Sequence, residues 1–167
     1  MEVQEFKSKA LQVTLKCIDE HPENWRTFND QIHTILIDGK RDTFSEVTLG
    51  NGELPILECV LDKSFVLITT KRILSSISDE NYEMPLIDVT GLSDKYESDN
   101  YKVVNDKRPK TNLILVLGKE GAELPFIIDS YHPAFFVKIL IQNLSCFLTS
   151  GEWYLNPSRD WKPNSPT

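Results

Sequence analysis

Residues 54–77 read LPILECVLDKSFVLITTKRILSSI. Three short apolar runs stand out: Leu54 to Leu61, Ser64 to Thr70 and Arg72 to Ile77. Asp62-Lys63 separates the first two, and a break at Lys71 separates the last two. Runs of this length, rich in β-branched and apolar residues and bounded by turn residues, predict antiparallel strands. The pattern extends both ways. Upstream, Gly50-Asn51-Gly52 is a strong turn signal, preceded by a short candidate strand from Phe44 to Leu49. Downstream, the polar turn Ser78-Asp79-Glu80-Asn81 leads into a strand from Met84 to Leu92.

Asp94 to Lys110 is then a polar loop of seventeen residues. Loops that long are uncommon in compact domains and are often either functional or disordered. Asn112 to Leu117 and Ala122 to Ile128 flank Gly118-Lys119-Glu120-Gly121, which predicts a hairpin. His132-Pro133 opens a strongly apolar helix, with Ser130 or His132 as its cap and Pro133 in its first turn. Phe136, Leu140, Leu144 and Phe147 form its central stripe, and Lys138, Gln142 and Ser145 a narrow polar strip. A helix so apolar must be largely buried against a sheet. After it, GEWYLNPSRDWKPNSPT carries three prolines and predicts an irregular tail.

The amino-terminal region has a different period. Val3, Phe6, Ala10, Val13 and Cys17 share one helical face over residues 2–19, and Leu11, Leu15 and Ile18 widen it. Trp25, Phe28, Ile32 and Ile35 repeat the helical spacing after Pro22, with Gly39 as a stop. Residues 1–39 therefore read as an αα-hairpin. One pattern recurs in the strand region: Glu53-Leu54-Pro55, Glu83-Met84-Pro85 and Glu123-Leu124-Pro125 each precede two apolar residues. Proline lacks a ladder donor, so each belongs at a strand start, an edge or a bulge.

Leu67-Ile68-Thr69-Thr70-Lys71-Arg72-Ile73-Leu74 and Met84-Pro85-Leu86-Ile87-Asp88-Val89-Thr90-Gly91-Leu92 together resemble the pleckstrin-homology-like (PH-like) superfamily, in its GRAM and bacterial PH-like branch. The likeness covers roughly residues 44–148. It implies an α+β fold: a seven-stranded, strongly bent antiparallel sheet or barrel capped by a carboxy-terminal helix. The amino-terminal hairpin lies outside that family core. The expected organisation is a helical hairpin over 1–40, a PH-like domain over 41–150 and an irregular tail over 151–167. The resemblance implies little about ligand, since such domains take phosphoinositides, proteins or peptides.

Composition narrows the function. The chain has 167 residues, 40% hydrophobic and 26% charged, with a formal charge of -7. That is ordinary for a globular protein able to hold a core without disulfides. An acidic surface repels phosphate backbones, so nucleic acid is not an expected partner. Membrane lipid stays open but is disfavoured by the same charge. Cys17, Cys59 and Cys146 make an odd count with no close pairing, which reads as free thiols in a reducing compartment. The start MEVQEFKSKALQV lacks a secretory pattern, and Phe135 to Leu148 is broken by Lys138, Gln142 and Asn143. A cytoplasmic location is expected.

Catalytic signatures are missing. Cys17 and His21 stand at i, i+4, but two ligands do not make a zinc site. No G-x-S-x-G elbow or phosphate-binding glycine loop occurs, and Gly118-Lys119-Glu120-Gly121 is too short and sits in a hairpin. No enzyme, metal or cofactor is expected. The leading function is a non-catalytic protein-interaction module; the alternatives are a small acidic inhibitor (immunity-type) of a basic partner, an anionic-lipid or phosphoinositide module, and an unrecognised enzyme. Oligomeric state is not legible. Tyr96, Tyr101, Lys107 and Arg108 in the long loop and Trp153, Tyr154 and Trp161 in the tail are the candidate partner contacts; the structural alternative for the tail aromatics is that they fold back onto their own domain. Lys71 and Arg72, at a strand junction, are candidate phosphate contacts; the structural alternative is a turn lysine beside an arginine stem packed on the sheet. In the loop, Lys95, Lys102, Lys107, Arg108 and Lys110 are nearly cancelled by Asp94, Glu97, Asp99 and Asp106.

Overall fold

The computed structural model describes residues 1–18, 21–27, 30–37, 47–93 and 110–154. In chain order these residues form α1 (Val3–Ile18), β1 (Thr34–Leu36), β2 (Pro55–Leu61), β3 (Ser64–Thr69), β4 (Arg72–Ile77), β5 (Glu80–Pro85), β6 (Val89–Ser93), β7 (Thr111–Gly118), β8 (Glu123–Asp129) and α2 (His132–Ser150). The fold is α+β. Strands β1 to β5 make one antiparallel sheet in sequential order, and β6 to β8 a second. No ladder joins the two sheets among the described residues, so the barrel is not closed.

The three runs that open the sequence reading are β2, β3 and β4. Their alternation decides the faces. Val66 and Ile68 enter the main core, while Leu67 between them joins Ile37 and Leu74 in a small second cluster on the other face. Pro55 stands opposite Thr69 and Leu57 opposite Ile68, leaving Ile56 as an extra residue. The first of the recurrent prolines thus marks a bulge, where a missing donor costs nothing.

Several expectations need correction. The second helix of the amino-terminal hairpin is not there. Pro22–Thr27 is a short 3-10 turn that buries Trp25, and Thr34–Leu36 is a strand paired with β2. Thr34, Ile35 and Ile37 are β-branched and stiff in a helix, and the ladder to β2 uses their backbone instead. The apparent helical spacing through Ile35 was the period of a chain turning into a sheet. The predicted strand over 44–49 lies partly outside the described residues. Its described part belongs to no strand, and Val47 and Leu49 pack on the second cluster. The expected strand from Met84 to Leu92 is two strands. A 3-10 turn at Leu86–Asp88 carries the chain from one sheet to the other. The turn placed at 78–81 is two residues long, Ser78 (φ 49°) and Asp79 (φ 71°), and Glu80 already belongs to β5. Paired positive φ values give the hairpin turn whose twist suits antiparallel strands.

The carboxy-terminal helix forms as its stripe requires. Phe136, Leu140 and Leu144 are fully buried in the main core. By length and composition α2 could cross a bilayer; here it packs on β6 and β8 of the second sheet, on the 86–88 turn and on α1. The cap is neither Ser130 nor His132 but Tyr131, at φ 68°, with Pro133 in the first turn. Ser130 instead donates to the Asn112 side chain at 3.0 Å. Gly151 closes the helix in the left-handed conformation, its N–H on Phe147 O at 2.8 Å. Helix α1 lies against α2 through Phe6 and Ala10, and Asn143 Nδ2 donates to Thr14 Oγ1 at 3.1 Å. Leu86, Leu115 and Phe126 are buried, whereas Phe65 and Leu113 are only half-buried.

Leu140→Ala should destabilise the protein by about 2–5 kcal/mol, because the side chain is wholly enclosed. Urea unfolding of the variant checks this.

Candidate functional site

Lys71 stands in the tight connection between β3 and β4, and Arg72 opens β4. Arg72 Nε and Nη2 grip the two oxygens of Glu53 at 2.9 and 3.1 Å. Its Nη1 reaches Glu83 Oε1 at 3.0 Å, and Nη2 also donates to Thr48 O at 3.1 Å. Glu53 is almost fully enclosed and accepts further bonds from Gly50 N–H at 2.7 Å and Thr69 Oγ1 at 2.7 Å. Lys71 Nζ donates to Asn51 O at 2.7 Å. Burial pushes the Glu53 carboxyl up, but the hydrogen bonds from Arg72, Gly50 and Thr69 outweigh it and leave the carboxyl below its ordinary range. Bonds to Glu53 and Glu83 raise the Arg72 guanidinium in turn. Both basic side chains therefore tie the 48–53 turn to the sheet, and Arg72 has little left to offer a phosphate.

A second polar cluster sits where β8 ends. Asp129 is buried and takes His33 N–H at 2.8 Å, Thr34 N–H at 2.6 Å and Thr34 Oγ1 at 2.6 Å on one oxygen. His33 Nδ1 lies 3.2 Å from the other oxygen, and Cys59 Sγ lies 3.8 Å from Asp129 Oδ2. Cysteine, histidine and aspartate together invite a nucleophile reading. The electrostatics oppose it. Burial, with the Asp129 charge beside it, pushes the Cys59 thiol up to about 12. A nucleophilic cysteine needs the opposite shift and an exposed sulfur. The cluster binds β1 to β8. Among the described residues no group of His, Cys, Asp and Glu is arranged to hold a metal ion.

A third feature is an open cleft between the edge of the first sheet and the β7–β8 hairpin. Two hollows sharing Glu123 lie there: Tyr82, Leu113, Leu115, Glu123 and Pro125 line one, of about 250 Å3. Glu83, Met84, Pro85, Asp88, Glu120 and Glu123 line most of the other, about 360 Å3. Gly118 lets β7 close on Met84; a Cβ there would meet Met84 Cε at 2.8 Å. Lys119 pairs with Asp88 at 3.0 Å, and Tyr82 donates to Glu80 at 2.6 Å.

Of the predicted partner contacts, Trp153 stacks on Phe147 (ring centroids 4.4 Å apart) and on Phe6 (5.8 Å). It seals the α1–α2 junction, while Tyr154 beside it is exposed. Tyr96, Tyr101, Lys107, Arg108 and Trp161 lie outside the described residues. Sequence reasoning missed Asp129, Glu53 and the cleft. The recurrent Glu-x-Pro signal held a clue, because Glu53, Glu83 and Glu123 head its three copies: the first two share Arg72 and the last two share the cleft. Compared with family models, curated proteins and solved structures, the chain matches none.

Glu53→Gln should cost about 2 kcal/mol at pH 7, since it removes a charged acceptor from the buried Thr69 hydroxyl and the part-buried Arg72 and Gly50 donors. The Glu53 carboxyl sits below its ordinary value of 4.5, so its contribution is present above pH 4.5 and fades as pH falls through the lowered value. Stability measured against pH should therefore show a shallower acid limb in the variant.

Proposed function

We propose that this chain is a non-catalytic protein-interaction module with a PH-like fold. The carrying observation is the open cleft beside β5, with its apolar floor of Leu115, Met84 and Pro125 under a carboxylate rim. Apolar floors with polar rims suit protein partners. Two antiparallel sheets joined at residues 86–88, with α2 sharing their core, support the PH-like reading. The engagement of Lys71 and Arg72 with Asn51, Glu53 and Glu83 weighs against a phosphoinositide headgroup at that junction. The raised Cys59 thiol weighs against covalent catalysis. A second reading, an acidic inhibitor of a basic protein, is favoured by the same rim, where Glu83, Asp88, Glu120 and Glu123 face Lys119.

Flotation with vesicles of phosphatidylcholine, phosphatidylserine and a phosphoinositide tests the choice of partner class. The protein should stay in the dense fraction. Flotation that is lost in Lys71→Ala would overturn the reading in favour of a lipid module.

A further inference from the structure

We propose that β5 is a docking edge for an extended segment of a partner protein, in which apolar residues alternate with lysine or arginine. The inference rests on the interaction-module reading and names its site and the chemistry of its partner.

Strand β5 is the last strand of its sheet, paired with β4 on one side only. The ladder fixes which groups face outward. Leu86 N–H donates to Lys71 O at 2.9 Å, next to the opposed pair Arg72 and Pro85. Antiparallel pairs alternate between bonded and non-bonded. Met84, Tyr82 and Glu80 are therefore the bonded positions, and Asn81 and Glu83 turn their N–H and C=O groups away from β4. No ladder partner meets them among the described residues. Natural sheets protect such edges, and a charged glutamate and a terminal proline are common devices. Here the protection is selective. Glu83 is shared with Arg72, so the unpaired charge that favours a basic strand comes from Glu120 and Glu123 at the rim, and Pro85 limits pairing to the two positions before it.

The surroundings define the side chains of the segment. Tyr82 and Met84 face inward and Asn81 and Glu83 outward, as their burial shows. A strand added to this edge would place alternate residues beside Tyr82, over the apolar lining from Leu115 and Pro125. Its other residues would stand beside Glu83 on the outer face. Glu120 and Glu123 are exposed at the rim, and Lys119 is already paired with Asp88. Inward apolar and outward cationic residues are the pattern that fits, and strand addition supplies backbone bonds whatever the exact sequence. The charge of -7 on the chain would speed encounter with such a segment.

The probe is an acetylated, amidated peptide of alternating lysine and valine, with a glutamate–valine peptide as control. Binding of the lysine peptide should shift the amide resonances of Asn81 and Glu83. The double variant Glu120→Gln, Glu123→Gln should weaken it about fivefold, as expected for two exposed ion pairs. Absence of binding, equal binding of the glutamate peptide, or an unchanged affinity in the double variant would overturn the proposal. So would a dimer in sedimentation with intermolecular contacts at Asn81, which would assign the edge to a second copy of the chain. A protein that stays off vesicles yet ignores the peptide loses this site alone. One that floats with lipid loses the interaction-module reading itself.

Discussion

Asp129 stands at the last position of β8 with its carboxylate turned into β1, where it collects two backbone N–H groups and a hydroxyl. A buried carboxylate is costly unless several donors meet it, and here they do. Thr34 and Cys59 among its partners belong to the five-stranded sheet, His33 directly precedes β1, and the Asp129 backbone belongs to the three-stranded sheet. The link therefore does what a ladder would do in a closed barrel, using one side chain. It fixes β1 as an added strand against β2, and it holds the end of β8 just before the backbone turns through Tyr131 into α2. The core on both sides of α2 depends on that placement.

The opposite seam is built differently. Between β5 and the β7–β8 hairpin no buried carboxylate or ladder bridges the sheets among the described residues. Contact there is made by Met84 against Gly118 and by Ser75 donating to Pro125 O at 2.7 Å. The rest is cleft. One seam is tied and the other is left open with charged lips, and the second can stay open because the first fixes how the sheets pack. Arg72 adds rigidity near the open side by gripping Glu53 and Glu83 together.

Much of this was legible in the sequence, and the failures have physical causes. Strands β2, β3, β4, β7 and β8 and helix α2 were readable because period-two and stripe patterns of buried residues leave a strong signal. The strand at Thr34–Leu36 was not, because three residues cannot establish a period and Trp25 and Ile35 happened to fall at helical spacing. The break at Leu86–Asp88 was hidden because Leu86 is buried in a turn as deeply as it would be in a strand. For the site, Lys71 and Arg72 were visible as basic residues at a junction, but their partners at Asn51, Glu53 and Glu83 depend on long-range register. Asp129 was invisible for the same reason: its donors lie about a hundred residues away in the chain, and an aspartate ending a strand looks like any turn residue.

The most direct measurement is amide hydrogen exchange at His33 and Thr34 in Asp129→Asn. The amide of asparagine offers these donors one neutral oxygen and a competing NH2 group. If Asp129 ties the sheets, protection at His33 and Thr34 should fall by roughly 30-fold, the equivalent of about 2 kcal/mol, while β3 and β7 keep most of theirs. Unchanged protection at His33 and Thr34 would contradict that role and place the closure of the fold in α2 alone.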